Sequence, residues 1–252
     1  MAGRFNLEAA YILHRREYRD TSYLLDIWSE NHGRISLVAR GARGARGLKS
    51  RFQGLQPFHR LLLSWSGRGE LGTLTAVESE GLYLQLSGQF AMSGFYLNEL
   101  LTLLLHKDDP HPELFILYEC AMNELARLST SNNHTVNLNL EEEKILRQFE
   151  KGMLDTLGYG INFEFESESD DEIKESSHYT YNVMAGFVKS IEPNKKAYLG
   201  KNLLAIAREQ FDDTSVLKDA KRIMRSTLDC HLGGKPLKSR ELRLAMAKEA
   251  RC

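Results

Sequence analysis

Residues 33–51 of the chain read GRISLVARGARGARGLKSR. In the first half, Ile35, Leu37 and Ala39 alternate with residues of the opposite face, which predicts a half-buried β-strand. The second half has glycine at every third position from residue 41 to residue 47, so it continues neither as strand nor as helix. The stretch therefore predicts a strand followed by a long loop.

Positive charge is concentrated in the same stretch, which holds no Asp or Glu. Its six cations are Arg34, Arg40, Arg43, Arg46, Lys49 and Arg51. Guanidinium groups spaced along a glycine-rich loop suit a long polyanion, whose backbone can be followed without one fixed geometry. A solvated basic loop that keeps the protein soluble is the alternative. We predict that these six residues form the main nucleic-acid contact.

Four more short strands are expected in the first eighty residues. They cover residues 9–14, 22–28, 58–65 and 70–78, and turn material such as SGRG at residues 66–69 separates them. Five short strands with one long loop favour a small closed barrel over a sandwich. The OB-type barrel, which commonly binds oligonucleotides on one strand face, is the expected fold, and an SH3-like barrel is the alternative.

Helical periodicity replaces strand alternation after about residue 85. Apolar side chains at helical spacing predict helices near residues 90–106, 112–122, 140–157, 201–210, 216–228 and 239–248. We therefore predict an α+β protein. A five-stranded OB-type barrel is expected at residues 1–82, followed by a mainly α-helical domain at residues 83–252.

One segment interrupts the helices, at residues 161–187. It alternates Phe with Glu and then runs acidic through Asp170, Asp171, Glu172 and Glu175. Paired carboxylates are compatible with a metal-dependent nuclease. No His or Lys with a partner of its own appears nearby, so a solvated strand face explains the pattern better, and no metal site is expected.

The net charge of −1 conceals an uneven distribution along the chain. Residues 1–80 hold 12 Lys and Arg against 8 Asp and Glu, residues 81–180 hold 6 against 18, and residues 181–252 hold 15 against 8. Two basic ends on either side of an acidic middle are more informative about partners than the near-neutral total.

Cysteine usage and the lack of apolar targeting segments favour a cytoplasmic protein. Cys120, Cys230 and Cys252 are odd in number and far apart, which argues against a disulfide framework and for a reducing compartment. The N-terminus has no signal-peptide core, and the longest aliphatic run is too short to span a bilayer. No GxSxG, GxxxxGK[ST] or HExxH signature is present, so we expect a protein that binds rather than catalyses.

Five segments of the chain carry a family resemblance. They are EAAYILHRREYRDTSYLLDIWSENHGRISLVARGAR (8–43), LQPFHRLLLSWSGRGELGTLTAVE (55–78), FYLNELL (95–101), LRQFEKGMLDTLGYGINF (146–163) and LGGKPLKSREL (232–242). In this order they resemble the N-terminal and helical domains of the RecO family, the bacterial recombination mediators. The resemblance covers most of the chain and implies an OB barrel followed by a helical domain.

The same resemblance implies partners and an activity. It implies binding of single- and double-stranded DNA, annealing of complementary strands, and cooperation with RecR and single-strand-binding protein (SSB) in loading RecA during repair. A protein with these partners is expected in the cytoplasm, associated with the nucleoid.

One departure from the RecO-like pattern concerns zinc. Many RecO-like proteins carry a four-cysteine zinc site after the helix that ends in LGY. Residues 158–187 of this chain contain no cysteine. We therefore expect an insertion at about residues 158–190 that folds as a remnant of the zinc finger without the metal.

Arg147 and Phe149 lie in the Arg-x-Phe-Glu segment of the RecO-like pattern. A cation beside an apolar helix surface suits the carboxylate and phenyl group that end the acidic C-terminal tail of SSB. We therefore expect these two residues to bind that tail. An ordinary ion pair of Arg147 with Glu143 or Glu150 on the same helix is the alternative.

Other residues extend these predictions. A wider basic surface is expected at Arg15, Arg16 and Arg19, and a second basic tract at Lys235, Lys238, Arg240 and Arg243. Bases could stack on Trp28, Trp65 and Tyr23, although aromatic residues in barrel strands belong more often to the core.

Two classes of function remain open beside a metal-dependent nuclease. The first is a non-catalytic DNA-annealing recombination mediator. The alternative is an RNA-binding OB-fold accessory factor of the ribosome or of translation, which would share the barrel and the basic loop.

Overall fold

Five strands close into a barrel in the N-terminal part of the chain. They are β1 (Arg4–Tyr18), β2 (Ser22–Ser29), β3 (Gly33–Ala39), β4 (Leu61–Ser66) and β5 (Gly72–Ser79). Their order is β1-β2-β3-β5-β4, and β4 pairs again with β1. The pairing of β3 with β5 is parallel and the other pairings are antiparallel. The predicted OB-type barrel is confirmed.

The computed structural model describes residues 3–43, 52, 54–67, 70–81, 84–131, 137–191 and 197–249. Backbone contacts divide the chain into two units. The first consists of Met1–Thr130 with Leu237–Cys252, and the second of Ser131–Pro236. The predicted boundary between domains at residues 82 and 83 stays a prediction.

The first strand is longer than its apolar alternation indicates. Its first part pairs with β4 and its second part with β2, and the register shifts between Phe5 and Glu8 and again between Ile12 and His14. Pairing continues through exposed residues to Tyr18. The strand expected at residues 9–14 therefore matches only the buried middle of β1, because backbone pairing extends where side-chain burial does not.

Apolar side chains from all five strands fill the barrel. The core residues are Ala10, Ile12, Leu25, Ile27, Leu37, Ala39, Ala42, Leu55, Leu61, Leu63, Trp65 and Leu74. Gly72 stands where β5 meets β3, and a Cβ atom there would lie 2.7 Å from the Leu37 side chain. A larger residue would separate the two strands that close the barrel.

Three helices belong to the same unit as the barrel. They are α1 (Gly88–Leu104), α2 (Pro112–Ser129) and α6 (Lys238–Glu249). Pro112 is the first residue of α2, as predicted, because a missing N–H costs nothing there. The Glu99 carboxylate accepts hydrogen bonds from the backbone N–H groups of Lys238 at 2.8 Å and Ser239 at 2.9 Å, and so caps the start of α6.

Buried aromatic rings fill the interface between α2 and the outer side of β1 and β2. Phe115 and Tyr118 of α2 contact Tyr11 and Trp28, with ring centroids 4.9 to 5.8 Å apart. The Tyr118 hydroxyl also donates a hydrogen bond to the side-chain oxygen of Asn98 at 2.6 Å. Such tilted and edge-on contacts stabilise aromatic pairs beyond the area that they bury.

Arg60 joins the barrel to α2 at the rim of this interface. Its guanidinium donates to both carboxylate oxygens of Glu119, at 2.9 and 2.8 Å, and to Glu80 at 2.9 Å. The Tyr11 hydroxyl donates to the same Glu119 at 3.2 Å. Burial raises the pKa of Tyr11, and the neighbouring Glu119 charge raises it further. The Glu30 carboxylate also lies 3.6 Å from the Arg60 guanidinium, so three acids surround one guanidinium and the phenol contacts one of them.

The second unit contains the remaining elements. They are α3 (Leu138–Thr156), β6 (His178–Asn182), β7 (Gly186–Lys189), β8 (Tyr198–Leu199), α4 (Gly200–Ala207) and α5 (Thr214–His231). The three strands form a sheet in the order β7-β6-β8. The Asn137 side chain caps α3 at the Leu140 N–H, and the Asp213 side chain caps α5 at the Ser215 N–H.

The alternating segment before these strands differs from the prediction. Residues 161–177 contain one isolated bridge, between Phe165 and Glu172, and no strand. Phe163 is buried whereas Phe165 is partly exposed, so the phenyl groups do not share one face. Among the described residues, no helix is both long and apolar enough to cross a bilayer.

We predict that Arg60→Ala lowers the free energy of unfolding by about 2 kcal/mol, because Glu119 and Glu80 lose their charge-assisted hydrogen bonds. Urea unfolding followed by circular dichroism measures this. Arg127→Ala is the matched control, since Arg127 forms an exposed ion pair with Glu124 on α2. The control should change stability by at most about 0.5 kcal/mol. Equal effects of the two variants would show that Arg60 does not join the elements.

Candidate nucleic-acid interface

The outer side of β1, β2 and β3 carries a surface that we call the open face. Register places its residues in rows across the strands, while the alternate residues point into the barrel core. The open face consists of His14, Arg16, Tyr18, Ser22, Leu24, Asp26, Ser36, Val38 and the adjoining Arg40. Farther along the same side, Trp28 is covered by α2. The open face is therefore the uncovered part of one strand surface.

Arg40 and Arg43 follow β3 at one end of the open face. Arg40 is exposed, and within the part of the chain that the structure describes it forms no hydrogen bond or ion pair. Arg43 donates to the Arg19 carbonyl at 3.2 Å and lies 2.8 Å from the Glu17 carboxylate. Glu17 is itself largely exposed, so this ion pair is weak and leaves Arg43 able to exchange partners.

Arg34 is placed differently from the other predicted contacts. Its guanidinium donates a hydrogen bond to the backbone carbonyl of Thr102 in α1, and its Nε lies 4.0 Å from the Asp26 carboxylate. Only 16% of its side chain is exposed. These contacts hold β3 against α1. The sequence pattern did not indicate this structural role of Arg34. Its predicted contact with nucleic acid stays a prediction.

The remaining predicted cations are Arg46, Lys49 and Arg51, which lie outside the described residues. The wider basic surface is described. Arg16 and Arg19 are exposed, and the Arg19 guanidinium lies 5.2 Å from the centre of the Tyr18 ring. Arg15 instead donates to the Leu55 carbonyl at 2.6 Å, which occupies its guanidinium.

The aromatic residues considered for base stacking lie mostly in the core. Trp28 packs against α2 and Trp65 stacks on Phe5 inside the barrel, with ring centroids 4.8 Å apart. Both indoles are fully buried, so neither presents a face to a base. Tyr23 is partly buried beneath the Arg15 guanidinium, at 4.7 Å. The aromatic rings of the open face are those of His14 and Tyr18.

Arg147 and Phe149 both lie inside the second unit. Phe149 is fully buried, and Arg147 is 4% exposed. The Arg147 guanidinium donates to Glu150 at 2.7 Å, so the ion pair expected as the alternative is present. Its Nε has no hydrogen-bond partner among the described residues. Their predicted contact with the SSB tail stays a prediction, and in this arrangement Arg147 is not on the surface.

The C-terminal basic tract is divided between the two units. Lys235 belongs to the second unit and is exposed, whereas Lys238, Arg240 and Arg243 lie on α6 in the first unit. Arg240 lies 5.6 Å from the centre of the Tyr96 ring on α1, and its guanidinium donates to the Tyr96 hydroxyl at 3.4 Å. The α6 part of the tract is therefore partly engaged with α1.

Aromatic rings occupy the segment where RecO-like proteins carry zinc ligands. Phe163, Tyr179 and Phe187 are buried, and Phe187 contacts Tyr181 with ring centroids 4.8 Å apart. The Tyr179 hydroxyl accepts a hydrogen bond from the Lys174 N–H at 2.8 Å. An apolar core of this kind can hold a small β-sheet together without metal.

Within the described ranges, no group of three or more His, Cys, Asp or Glu is arranged to hold a metal ion. A GxGxxG pattern does occur at residues 67–72. It connects the antiparallel strands β4 and β5 rather than a strand and a helix, so it lacks the setting of a dinucleotide-binding loop.

Comparison with known proteins gives a consistent result over nearly the whole chain. The family models described as "Recombination protein O N terminal" and "Recombination protein O C terminal" match residues 4–83 and 90–241. A protein named DNA repair protein RecO from Coxiella burnetii (strain RSA 331 / Henzerling II) is 44% identical over 96% of this chain and 99% of its own length.

Two further relatives carry the same name. The protein from Actinobacillus pleuropneumoniae serotype 7 is 43% identical over 94% of both chains. The protein from Yersinia pestis (strain Pestoides F) is 41% identical over 93% of this chain and 92% of its own length. The similarity therefore extends through the barrel and the helical part alike.

We predict that protein purified without added metal contains well below one zinc per chain, because residues 158–187 offer no thiolate ligand. Elemental analysis measures the metal content directly. Treatment with EDTA should leave the melting temperature unchanged, since structural zinc would contribute to folding. Stoichiometric zinc, or a lowered melting temperature after chelation, would contradict this prediction.

Proposed function

The chain belongs to the RecO family of DNA repair proteins, and from this premise we propose that it is a non-catalytic recombination mediator. It binds single- and double-stranded DNA and anneals complementary strands. With RecR, it helps RecA to load onto single-stranded DNA that is coated with SSB. It acts in the cytoplasm, on nucleoid DNA.

The observation that carries this proposal is the uncovered strand surface with cations at its end. Arg16, Arg19 and Arg40 are exposed on or beside the open face, and Arg43 is held by a surface ion pair and one hydrogen bond to the Arg19 carbonyl. Contacts to phosphates give affinity without dependence on sequence. An annealing protein needs this property, because it must bind any pair of complementary strands.

An RNA-binding OB-fold protein would share the barrel with this chain but would not belong to the RecO family. The match to the RecO family extends through residues 90–241, which a barrel alone would not explain. It therefore favours the DNA-repair function over a ribosomal or translational accessory role.

A strand-annealing assay tests the proposal most directly. Two complementary labelled strands, each coated with SSB, are mixed with the full-length protein, and duplex formation is followed by fluorescence. The protein should accelerate annealing of both naked and SSB-coated strands. Unchanged annealing in both cases, with tight binding to structured RNA, would support the RNA-binding alternative instead.

We predict that the triple variant Arg40→Ala, Arg43→Ala, Arg46→Ala binds single-stranded DNA with a weaker salt dependence. Each lost phosphate contact lowers the slope of log K against log salt by about 0.7, so the slope should fall by about 2. Fluorescence anisotropy with a labelled oligonucleotide, at salt concentrations from about 50 to about 200 mM, measures the slope.

Two controls separate this effect from general loss of charge. Arg127→Ala removes an exposed cation of α2 and should leave the slope unchanged. Arg225→Ala removes an exposed cation of α5 and should also leave the slope unchanged. A triple variant with the slope of the parent protein would move the DNA contact to another surface, most directly to the C-terminal basic tract.

For Arg147, we predict at least a tenfold loss of SSB-tail binding when the charge is removed, because the tail carboxylate loses a charge-assisted hydrogen bond. Removing Arg147 alone would leave Glu150 as an uncompensated buried charge. The sharper variant is therefore Arg147→Met with Glu150→Gln, which neutralises both partners and keeps their volumes. Anisotropy with a labelled tail peptide measures binding.

The double variant also tests the structural alternative. Its thermal unfolding should match that of the parent protein, and its annealing of naked DNA should be unchanged. Annealing of SSB-coated DNA should fall with the peptide affinity. If the double variant is stable and still binds the peptide with parental affinity, Arg147 and Glu150 form a purely structural ion pair.

A further inference from the structure

The open face contains two clefts, one at each end. The first has a volume of about 220 Å³ and lies across the strands; its lining residues are His14, Arg16, Leu24, Leu25, Asp26 and Ser36. The second, of about 480 Å³, lies at the β1–β2 turn; its lining residues are Tyr18, Arg19, Asp20, Thr21, Ser22, Val38, Arg40 and Leu71. The first cleft is smaller than a pocket for a drug-sized ligand, which measures about 300 Å³ or more, and the second is near the lower end of that range. Each therefore suits a small planar group rather than a helix or a folded partner.

The spacing of the clefts follows from the register. His14 lines the first and Tyr18 lines the second, and the two residues are four positions apart on β1. At about 3.3 Å per residue, this places them about 13 Å apart along the strand. Leu24 of the first cleft and Val38 of the second are register partners on neighbouring strands, so the two clefts adjoin each other. One extended chain can therefore occupy both clefts.

Each cleft combines one carboxylate with cations. Asp26 lines the first cleft beside Arg16, and Asp20 lines the second beside Arg19 and Arg40. On a surface that bound only phosphates, these two carboxylates would repel the ligand. Carboxylates accept hydrogen bonds from the amino groups of bases, while arginines contact the backbone phosphates. The arrangement therefore fits a strand whose bases point inward.

Asp26 has one oxygen available for such a contact. Its Oδ1 lies 3.5 Å from the Ser36 hydroxyl and 4.0 Å from the Arg34 Nε. Its Oδ2 forms no hydrogen bond with any residue that the structure describes. The Arg34 charge holds the carboxylate in place, and the second oxygen can accept from a ligand.

We infer that the open face binds single-stranded DNA with unpaired bases seated in the two clefts, and that Asp26 accepts a hydrogen bond from an exocyclic amino group in the first. This inference rests on the proposed DNA-binding function and adds a base preference to it. Cytosine, which presents its N4 amino group, is favoured over thymine, which has none.

The test compares two oligonucleotides of equal length, one all cytosine and one all thymine. The full-length protein is titrated against each fluorescent oligonucleotide in the same buffer, and anisotropy gives both affinities. Their phosphates are identical, so backbone contacts cancel in the ratio. One base hydrogen bond should make the cytosine strand bind about fivefold more tightly.

Two variants assign the preference to a residue. Asp26→Asn replaces the carboxylate with an amide, which can accept a hydrogen bond from cytosine and donate one to thymine. The ratio of the cytosine-strand affinity to the thymine-strand affinity should therefore fall below about twofold. Glu78→Gln is the matched control, because it removes one negative charge from an exposed position of β5 outside both clefts. It should keep the parental ratio. Circular dichroism checks that both variants are folded.

The outcomes are distinct. A cytosine preference that Asp26→Asn removes and Glu78→Gln retains supports the inference. Equal binding of both oligonucleotides by the unmodified protein overturns it and leaves the DNA-binding function intact, and this comparison needs no variant. A preference that survives Asp26→Asn also overturns it. Binding of neither oligonucleotide would refute the proposed function itself.

Discussion

The pairing of β3 with β5 is the constraint on which the rest of the first unit depends. It joins Leu37 to Gly72 and Val38 to Thr73, and it turns an open five-stranded sheet into a barrel without free edges. Closure gives every strand an inner and an outer side. The absence of a side chain at Gly72 permits it, because Leu37 fills the space where a Cβ atom would lie. Without this pairing, β3 and β5 would be the edges of an open sheet.

The outer side of the barrel is divided between packing and exposure. Around Trp28 it is apolar and buried under α2, whereas His14 and Arg16 a few residues away remain exposed. Arg34 lies at the boundary and binds both Thr102 of α1 and Asp26 of the open face. The same guanidinium thus holds a helix on the barrel and orients a carboxylate beside the uncovered strands. Structural and functional surfaces are coupled here through one side chain.

The fold was predictable from the sequence because alternation and helical spacing are local signals, whereas the roles of single charged residues were not. Arg34 and Arg40 belong to one glycine-spaced basic stretch, but only Arg34 meets a carbonyl of α1, 68 positions along the chain at Thr102. Helical spacing predicts the ion pair of Arg147 with Glu150, but it does not predict that this pair is buried. Contacts between segments far apart in the sequence decide which cations remain available. The periodicity of the sequence does not predict such contacts.

Base contacts on the open face have to be weaker than base pairing for annealing to proceed. A base seated in a cleft is unavailable to the complementary strand until it leaves. Stacking of a DNA base-pair step contributes about 1.4 kcal/mol on average, and a base–aromatic stack contributes about 1 to 3 kcal/mol. The open face has two aromatic rings, those of His14 and Tyr18, with one in each cleft. A base in either cleft therefore meets at most one ring, which keeps its binding near the lower end of that range. In the proposed annealing, phosphate contacts then retain the strand while its bases exchange into a growing duplex.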